Sequence, residues 1–563
     1  MKKIKLCFII QFMLLIYTQI QAQQWEWIKH IGSQGDDACI DMVIDNNENI
    51  YAIMLFSDTC ELNSNNIDSG TYIIKINNTG NINWVKPCDN TAYRIATDNY
   101  DNIYLLGTFQ NSCIIGNDTL ISQFSYFYGY STFLAKYDSS FNPVWAITLG
   151  PATVKEIKII NDNIYMSSYF QAFICDNDTI YSYNCCSTSE GDVLITRYTL
   201  DGNCLNYTQI NNYGNEDDCP ECCSSLRYYI GIPISIDSLN NVYASIIIYG
   251  TGGIGFQGHY FSTPSCNISR TVLCKFDSSF TCKYAHVGNI GQNIMVNSNQ
   301  LYSFSVNYYL LYDNDITVLS DTLNLVVAKI NNNTGMLDDF SSNKLGGTVY
   351  GNIIALSNLT IISSLSCYSI INNDTITSYF YNGYNQSMVN FPTFYILKYD
   401  TALNVINHIR ILDMDSTYYP SLGYARYYGK ILFAKSFYNK HYISTHFLTN
   451  VFMNNTVFST YGGYDIIIGK LIDNNSNVSD LSEDHLCFNI YPNPSDGNFE
   501  IKSYTGLENS LTIEIFDGFG RKVYSDNSFI LPNNIKISNY IPGIYYLRIS
   551  SNDKVTSKTL IFE

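Results

Sequence analysis

Short apolar stretches alternate with polar turns along almost the whole chain. Residues 72–76 and 133–137 are typical: each is apolar or aromatic apart from one lysine, and each is followed by Asn, Asp or Ser. Runs of β-branched and aromatic residues that are bounded by turn-forming residues predict strands. No long segment after residue 22 has the periodicity of a helix. We therefore expect an all-β chain.

The strand pattern is repetitive. A β-rich stretch that ends in a basic residue and a polar turn recurs seven times, at intervals of 54 to 78 residues. Its copies lie at residues 72–77, 133–138, 193–198, 272–277, 326–331, 395–400 and 466–471. A turn that leads into a strand precedes each copy. This second element lies at residues 49–51, 102–104, 163–165, 241–243 and 300–302, with weaker versions near 358–359 and 430–433.

A third element, an aromatic and basic strand, follows the basic stretch at residues 84–86 and 145–147, and in degenerate form at 283–286. Its first copy, Trp27-Ile28-Lys29, precedes the first unit, and no clear copy follows the seventh. A ring of repeated sheets closes best when the N-terminal strand completes the last sheet, because this removes an unpaired edge. We expect residues 27–29 to form that closing strand.

About four strands in each of seven units predict a seven-bladed β-propeller over residues 23–472. The units resemble bacterial propeller repeats with a W-x-K, D-x-x-G-N-x-Y and F-x-x-K-Y-D consensus, and the resemblance covers roughly residues 24–472. Units six and seven are degenerate, so six or eight blades are also compatible with the pattern. A β-helix is the structural alternative, although these intervals exceed its usual short coils.

The N-terminus has the pattern of a secretory signal peptide. Three lysines among the first five residues precede the mostly apolar stretch 6–16, and Ala22 is followed by a suitable cleavage point. The stretch is too short for a membrane anchor. We therefore expect residues 1–22 to be removed, and we expect no transmembrane segment in the mature chain.

The apolar pattern stops after residue 472, and residues 473–484 read as a polar linker. Short alternating strands then fill residues 485–563 and predict a small Ig-like β-sandwich. This segment resembles the type A C-terminal sorting domain of type IX secretion cargo from Bacteroidetes-type bacteria. The family's recurrent positions fall on Pro492, Asn493, Pro494, Gly497, Asp517, Gly520, Gly543, Tyr545 and Lys558.

The resemblance implies a route and a partner. The type IX secretion machinery would recognise the C-terminal domain, and the protein would pass through the periplasm to be secreted or held on the outer-membrane surface. Such domains are usually cleaved, and the linker is the expected cleavage region. The resemblance does not name a ligand.

Charge and cysteine content support an exported protein without nucleic-acid partners. The chain has 31 basic and 49 acidic residues, and the mature form would carry a net charge of about −21. Phosphate backbones would repel such a chain, so no nucleic acid is expected. Sixteen of the 17 cysteines follow the signal segment, and an oxidising compartment favours disulfides.

Clusters of reactive side chains give no single active site. Cys185-Cys186 and the cluster 219–223 favour a disulfide over a zinc site, since no second ligand pair has suitable spacing. Asp36-Asp37 and Asp217-Asp218 occupy equivalent repeat positions, which favours a turn role over calcium binding or paired catalytic carboxylates. The glycine-rich stretch 250–255 reads as a β loop. No HExxH motif joins the seven scattered histidines, which are His30, His259, His286, His408, His441, His446 and His485.

We therefore expect no catalytic residue, metal or cofactor. Asp-Thr-Leu or Asp-Thr-Ile resembles an O-glycosylation acceptor pattern of these bacteria, although a turn role is equally compatible with one copy per unit. The copies begin at Asp118, Asp178, Asp321 and Asp374.

The leading functional hypothesis is a secreted or cell-surface binding or adhesion-type protein, with the propeller as the interaction scaffold. The tyrosine-rich loops 124–130 and 379–384 are candidate contact surfaces for an extracellular protein or carbohydrate, because tyrosine offers a flat apolar face with a polar tip. The alternatives are an extracellular hydrolase with its active site at the channel mouth, or a structural surface component.

Overall fold

The structure is a computed structural model. It describes residues 24–562 except 89–90, 123, 125–129, 177, 183–191, 213–231, 249–252, 263–269, 290, 292, 298–299, 308, 313–314, 320–323, 347–353, 356–359, 366–367, 372–373, 378, 383–386, 391–392, 415–428, 438–439, 448–450, 454–455, 473–487, 492–494, 496, 504–510, 518–520, 530–532, 538–541 and 552–553.

The described residues form strands and turns and contain no helix, which confirms the all-β prediction. They also contain no helix with the length and hydropathy needed to cross a membrane. The chain divides into two compact units, residues 1–474 and 475–563. The signal peptide and residue 23 lie outside the described residues, as does most of the linker.

The described residues of the larger unit form seven antiparallel sheets of four or six strands, none of which closes on itself, and four separate two-stranded sheets. We number the seven larger sheets in chain order and call their four sequential strands first to fourth. Sheet 1 consists of Ala38–Ile44, Ile50–Phe56, Gly70–Ile76 and Ile82–Pro87; sheet 2 of Thr91–Thr97, Ile103–Gln110, Tyr130–Tyr137 and Pro143–Gly150; and sheet 3 of Ala152–Ile160, Asn163–Phe170, Asp192–Thr199 and Cys204–Asn212. Sheet 4 consists of Ile234–Ile236, Val242–Ile248, Arg270–Phe276 and Cys282–Gly288; and sheet 5 of Asn293–Asn297, Gln300–Asn307, Asn324–Ile330 and Leu337–Gly346. Sheet 6 consists of Ile354–Ala355, Thr360–Leu365, Thr393–Tyr399 and Val405–Met414; and sheet 7 of Gly429–Phe437, Lys440–Phe447, Asp465–Ile472 and Gln24–Ile31.

The fourth strand of sheet 7 is the N-terminal strand of the described chain, as the position of Trp27-Ile28-Lys29 predicts. It pairs antiparallel with the third strand of that sheet, and the register sets Ile28 opposite Gly469 and His30 opposite Ile467. Main-chain hydrogen bonds therefore join the two ends of the larger unit. This pairing confirms that residues 27–29 lie in a strand that completes the last sheet.

A short hairpin separates the second and third strands of every unit, and the sequence pattern did not separate it from the main strands. The hairpins are Cys60–Leu62 with Asn65–Ile67, Ser112–Ile115 with Asp118–Ile121, Ala172–Cys175 with Asp178–Tyr181, Gly253–Phe256 with His259–Ser262, Tyr309–Tyr312 with Asp315–Val318, Tyr368–Ile371 with Asp374–Thr377, and Val451–Met453 with Thr456–Phe458. Unit 6 has one more, Tyr379–Asn382 with Ser387–Asn390. The hairpins of units 4 to 7 pair with the fourth strand of the preceding sheet, which extends sheets 3 to 6 to six strands.

Aspartate side chains close the tight turns, as the sequence predicts. In sheet 2 the Oδ1 atom of Asp98 accepts the backbone N–H groups of Tyr100 and Asn102, both at 2.9 Å. The residue before Asn102, Asp101, has a φ of 61°. Such a side chain replaces a backbone turn hydrogen bond. The same bonding recurs at Asp45, Asp138, Asp237, Asp277 and Asp400.

The apolar core is divided among the interfaces between consecutive sheets. One buried cluster joins sheets 7 and 1 and includes Met42, Ile74, Tyr442 and Ile466. Comparable clusters join sheets 1 and 2, 2 and 3, 3 and 4, 4 and 5, and 6 and 7. Central strands such as Ile50–Phe56 are apolar at successive positions and are buried on both faces, because sheets 1 to 4 and sheet 7 each share a buried cluster with a sheet on either side.

A tryptophan and a glycine form a repeated contact between neighbouring sheets. The ring of Trp27 in sheet 7 lies against Gly80, whose φ is +83°, and its Nε1–H donates to the carbonyl of Asn78 at 3.0 Å. A Cβ at residue 80 would lie 2.7 Å from the ring, so the close approach requires glycine. Trp145 against Gly202 and Tyr284 against Gly335 repeat the contact between sheets 2 and 3 and sheets 4 and 5.

The basic residue of the repeat is a second contact between sheets. Lys136 lies over the Tyr104 ring at 5.5 Å, and its Nζ donates to the carbonyl of Leu200 in the next unit at 3.3 Å. In sheet 7, Lys470 lies over the Tyr442 ring at 5.7 Å, and its Nζ donates to the carbonyl of Asn78 in unit 1 at 3.3 Å. Lys275 repeats the contact with Tyr243 and Asn332.

One disulfide joins Cys175 to Cys204, with a Cα–Cα distance of 5.5 Å. It ties the hairpin of unit 3 to the start of the fourth strand of sheet 3, where Asp176 accepts the N–H of Cys204 at 2.9 Å. The prediction of a disulfide-containing protein is confirmed for this pair. Thiols are present at Cys39, Cys60, Cys113, Cys274 and Cys282.

The smaller unit contains one three-stranded and one four-stranded sheet, both antiparallel. The strands are Phe488–Tyr491, Asn498–Ser503 and Asn533–Lys536 in the first sheet, and Lys522–Phe529, Leu511–Phe516, Gly543–Ser551 and Lys554–Phe562 in the second. Residues from both sheets form one buried cluster that includes Phe499, Ile513, Leu547 and Phe562.

Candidate functional site

The first predicted site is the set of recurrent positions in the C-terminal unit, and the structure places most of the described ones inside it. Gly497 is buried with a φ of +92°, a conformation that favours glycine. Its N–H donates to the hydroxyl of Ser495 at 3.1 Å, and that hydroxyl donates to the carbonyl of Asn498 at 2.9 Å. Gly497 therefore shapes the turn into the strand Asn498–Ser503.

Asp517 closes a second turn in this unit. Its carboxylate accepts the backbone N–H of Arg521 at 2.9 Å and the Nε and Nη2 groups of the same arginine at 2.7 Å. Asp517 is only 9% exposed, although the arginine side chain is largely exposed. Its role in the structure is to hold the turn after the strand Leu511–Phe516.

The last recurrent positions lie on the two final strands. Gly543 has a φ of +153°, and Tyr545 is buried with its ring 4.6 Å from that of Phe562. Lys558 lies opposite Leu547 in the register. Pro492, Asn493, Pro494 and Gly520 lie outside the described residues.

The acidic pair at the start of unit 1 has a structural role, as predicted. Asp37 is 1% exposed. Its carboxylate accepts the hydroxyl of Ser33 at 2.8 Å and the backbone N–H groups of Ser33 and Ser57. Burial raises the pKa of Asp37, and the nearby Asp465 carboxylate raises it further, although the serine hydrogen bonds oppose this change. The equivalent pair, Asp217-Asp218, lies outside the described residues.

His30 joins the N-terminal strand to the third strand of sheet 7. Its Nε2 lies 2.6 Å from Oδ2 of Asp465, a fully buried carboxylate, and its ring stacks on Tyr461 with centroids 4.5 Å apart. Tyr461 also donates its backbone N–H to Asp465 at 2.9 Å. This group holds the closing strand in place.

These carboxylates do not form a site for a polymer substrate, since Asp37 and Asp465 are both buried. Within the described part of the chain, no three His, Cys, Asp or Glu side chains are arranged to hold a metal ion. The Cys219–Cys223 cluster and Cys185-Cys186 lie outside the described residues. Elsewhere, His286 bonds the carbonyl of Thr334 at 2.9 Å, and His441 is buried.

A group of exposed tyrosines lies at the outer edge of sheet 3. On the fourth strand, Thr208 and Ile210 are buried, whereas Tyr207 is 41% exposed and shares the opposite face with Gln209 and Asn211. Sequence alternation therefore turns one aromatic and two amide side chains towards solvent. We call these residues, together with Tyr181 and Tyr260, the tyrosine surface.

Two hairpins supply the remaining tyrosines. Gln209 Nε2 donates to the backbone carbonyl of Tyr181 at 3.2 Å and to Asp192 at 2.7 Å, so the hairpin of unit 3 lies beside the strand. Tyr181 is 66% exposed.

The hairpin of unit 4 lies on the other side of this strand. Asn211 pairs with Gly255, and Gly255 pairs with Tyr260, so the three residues share one face. Tyr260 is 62% exposed, and its phenol lies over Gly253, where a Cβ would come within 2.7 Å of the hydroxyl. Glycines thus leave room for an aromatic ring that stays open to solvent.

Sequence reasoning missed the tyrosine surface. The predicted loop 124–130 lies mostly outside the described residues, although Tyr130 is 51% exposed. In the predicted loop 379–384, residues 379–382 form a strand. Exposed Tyr260 belongs to unit 4 but lies against sheet 3. The useful signal in the sequence is the alternation of glycine and apolar residues at 253–256, which leaves one face of the first hairpin strand without side chains beside Tyr260.

The Asp-Thr-Leu and Asp-Thr-Ile segments lie on the second strand of their hairpins. Thr119 and Thr179 are exposed, and the following Leu120 and Ile180 are buried. Asp118 accepts the N–H of Ala146 at 2.8 Å, which is a structural role for this position. The copy at 321–323 lies outside the described residues.

Comparison with known families identifies the C-terminal unit. Residues 489–563 match the family described as secretion system C-terminal sorting domain. The chain therefore carries a sorting domain of type IX secretion, and it is exported to the cell surface or the extracellular space. The type IX machinery is accordingly a partner of this protein.

Comparison with whole proteins covers curated proteins and solved structures. None of the curated proteins matches the chain. Among solved structures, the extracellular domain of a B. thetaiotaomicron protein described as a one component system is 10% identical, covers 93% of this chain and 92% of its own, and has a TM-score of 0.17. Morganella morganii TcdA4 is also 10% identical and covers 97% of this chain and 22% of its own, with a TM-score of 0.18. Such scores are too low to support an argument about fold or function.

Proposed function

We propose that the seven sheets are the blades of a closed β-propeller, which serves as the scaffold of an extracellular binding protein. Their antiparallel strands do not fit a parallel β-helix. Contacts between first strands follow the chain order from sheet 1 to sheet 3 and from sheet 4 to sheet 6, and the first strand of sheet 7 contacts that of sheet 1. The tryptophan and lysine contacts from sheet 7 to unit 1 match those between sheets 2 and 3.

The proposed domain organisation follows from this arrangement. Residues 1–22 are a signal peptide, 23–472 the propeller, 473–484 a linker and 485–563 the sorting domain. The two sheets of the smaller unit support an Ig-like sandwich for the sorting domain. Its recurrent positions from Pro492 to Lys558 would maintain the form that the export machinery recognises.

The binding surface that we propose is the tyrosine surface, and its ligand class is neutral carbohydrate. The observation that carries this proposal is the exposure of Tyr207 and Tyr260 on strands of sheet 3 that both pair with Gly253–Phe256, with exposed Tyr181 on the hairpin that Gln209 bonds. Large aromatic side chains are costly to leave in water, and an exposed group of them marks an interaction site. Aromatic faces pack against the apolar faces of sugar rings, and amides bond their hydroxyl groups.

The test measures binding of soluble neutral glucans, mannans and galactans to the purified protein, with Tyr260→Ala and Tyr181→Ala as variants. Each substitution should weaken binding about tenfold, as expected for the loss of a central aromatic contact. Tyr100→Ala is the matched control, because Tyr100 is 58% exposed but lies outside the tyrosine surface.

Three results would contradict this assignment. The first is that none of these polysaccharides binds. The second is that binding is unchanged in both variants. The third is that a protein ligand is lost in the variants while no glycan binds, which would assign the surface to another ligand class.

A further inference from the structure

Three of the described recurrent positions in the sorting domain offer little surface for the export machinery to contact. Gly497 and Tyr545 are buried, and Asp517 is 9% exposed and bound to Arg521. These residues build turns and core, so their main effect is on the form of the domain. A partner protein must instead contact exposed side chains that this form presents.

The four-stranded sheet of the sorting domain has one buried and one open face. Ile513, Ile515, Leu547 and Ile549 alternate into the buried cluster of the domain. Residues between them point to the other side, because successive side chains of a strand alternate. Exposed Tyr546 lies on that side, at 49% exposure.

An aromatic pair lies on the open face, at the end of the strand Leu511–Phe516. Phe516 lies directly opposite Tyr546, and it is also opposite Lys522 on the neighbouring strand. Partly buried Phe516 and exposed Tyr546 are thus neighbours on adjacent strands. Val523, which follows Lys522 in the sequence, is 45% exposed. Exposed aromatic pairs of this kind are common at the centres of protein interfaces.

Charged side chains flank the aromatic pair. Glu514, two residues before Phe516, lies opposite Arg548, and the Nη1 atom of Arg548 is 3.8 Å from Oε2 of Glu514. The Nζ atom of Lys522 is 2.5 Å from Oε1 of Glu514. The side chains of Lys522 and Arg548 are 48% and 47% exposed, whereas that of Glu514 is 16% exposed. The open face therefore presents an excess of positive charge on a chain whose net charge is −18.

We propose that this open face, formed by Glu514, Phe516, Lys522, Tyr546 and Arg548, is the surface by which a protein of the type IX machinery holds the sorting domain. Its partner would present an apolar patch bordered by carboxylates, since opposite charges guide and orient association. This inference depends on type IX export and is independent of the carbohydrate proposal.

The test compares export of full-length variants in a bacterium with a type IX system. Arg548→Glu and, separately, Tyr546→Ser should each lower the amount at the cell surface and in the medium about tenfold, with accumulation in the periplasm, as expected for loss of a central interface residue. Lys536→Glu is the matched control, because Lys536 is exposed on the other sheet and the charge change is identical. It should be exported like the wild type.

Folding is checked on each full-length variant by its melting temperature and its resistance to limited proteolysis. The proposal is overturned if folded Arg548→Glu and Tyr546→Ser proteins are exported at the wild-type level. It is also overturned if Lys536→Glu is retained to the same extent, or if the variants cross the outer membrane normally and are lost only from the surface. That last result would assign the face to retention by the lipid surface.

Discussion

A single lysine in each of units 2, 4 and 7 performs two tasks. Its stem and charge cover the tyrosine of the same unit, and its ammonium group donates to a turn carbonyl of the next unit, as Lys136 does with Tyr104 and Leu200. Cation–π contacts of this kind contribute about 0.5–1 kcal/mol at exposed sites. The repeat therefore encodes contacts between sheets as well as within them.

Unit 1 adds a carboxylate to this arrangement. Glu48 accepts Lys440 Nζ and the hydroxyl of Tyr442, and it lies 2.9 Å from Lys470, whose side chain is 3% exposed. Burial raises the pKa of Glu48, but hydrogen bonds from Lys440, Lys470 and Tyr442 outweigh it and lower the pKa from 4.5 to about 2. Since the pKa is lower in the folded state, this stabilisation is complete above pH 4.5 and is lost as the pH falls towards 2.

Glu48→Gln should therefore destabilise the protein by about 1–3 kcal/mol at pH 7, because it leaves a buried lysine with one charged partner fewer. Thermal unfolding measured between pH 2 and 7 should show the difference from wild type shrinking below pH 4.5. Glu61→Gln, at an exposed hairpin position, is the control and should change little. A constant difference across this pH range would contradict the account.

At the scale of elements, the sequence predicts most strands but not the hairpins. The basic stretches and their Asn or Asp turns mark the second, third and fourth strands, because local propensity and turn chemistry act within a few residues. The hairpins are three to four residues per strand, and those of units 4 to 7 pair with the preceding sheet. Tyr260 could not be assigned to the edge of sheet 3 without that pairing.

In the sorting domain, the sequence predicts the turns but not the open face. The turn residues Gly497 and Asp517 can be predicted from the sequence, since their conformations depend on the residues next to them. The open face requires the register between strands, which sets Phe516 opposite Tyr546. Register depends on long-range pairing, so alternation along one strand does not determine it.

The Trp27–Gly80 contact between sheet 7 and unit 1 can be tested by substitution of the glycine. Gly80→Ala introduces a Cβ that meets the Trp27 ring at 2.7 Å. Gly258→Ala is the matched control, because its φ is also +83° and the added Cβ meets nothing within 4 Å. Both substitutions have the cost of a positive φ, about 1 kcal/mol, and overpacking should add about 1–3 kcal/mol for Gly80→Ala. Equal melting temperatures for the two variants would show that the contact is absent.

At the scale of the whole molecule, the ends of the larger unit are joined by one sheet. The N-terminal strand supplies hydrogen bonds to Asp465–Ile472, His30 bonds Asp465, and Met42 and Tyr442 lie in one buried cluster across sheets 1 and 7. A closed ring has no unpaired sheet at its seam, which protects an extracellular protein against aggregation and local unfolding.

Hydrogen–deuterium exchange of the secreted protein tests ring closure by the N-terminal strand most directly. Amides of residues 27–31 that pair with Ile466–Lys470 should be protected to the same degree as those of Ile82–Pro87, the corresponding strand of sheet 1. Exchange of residues 27–31 at the rate of an unstructured peptide, with residues 82–87 protected, would contradict closure of the ring by this strand.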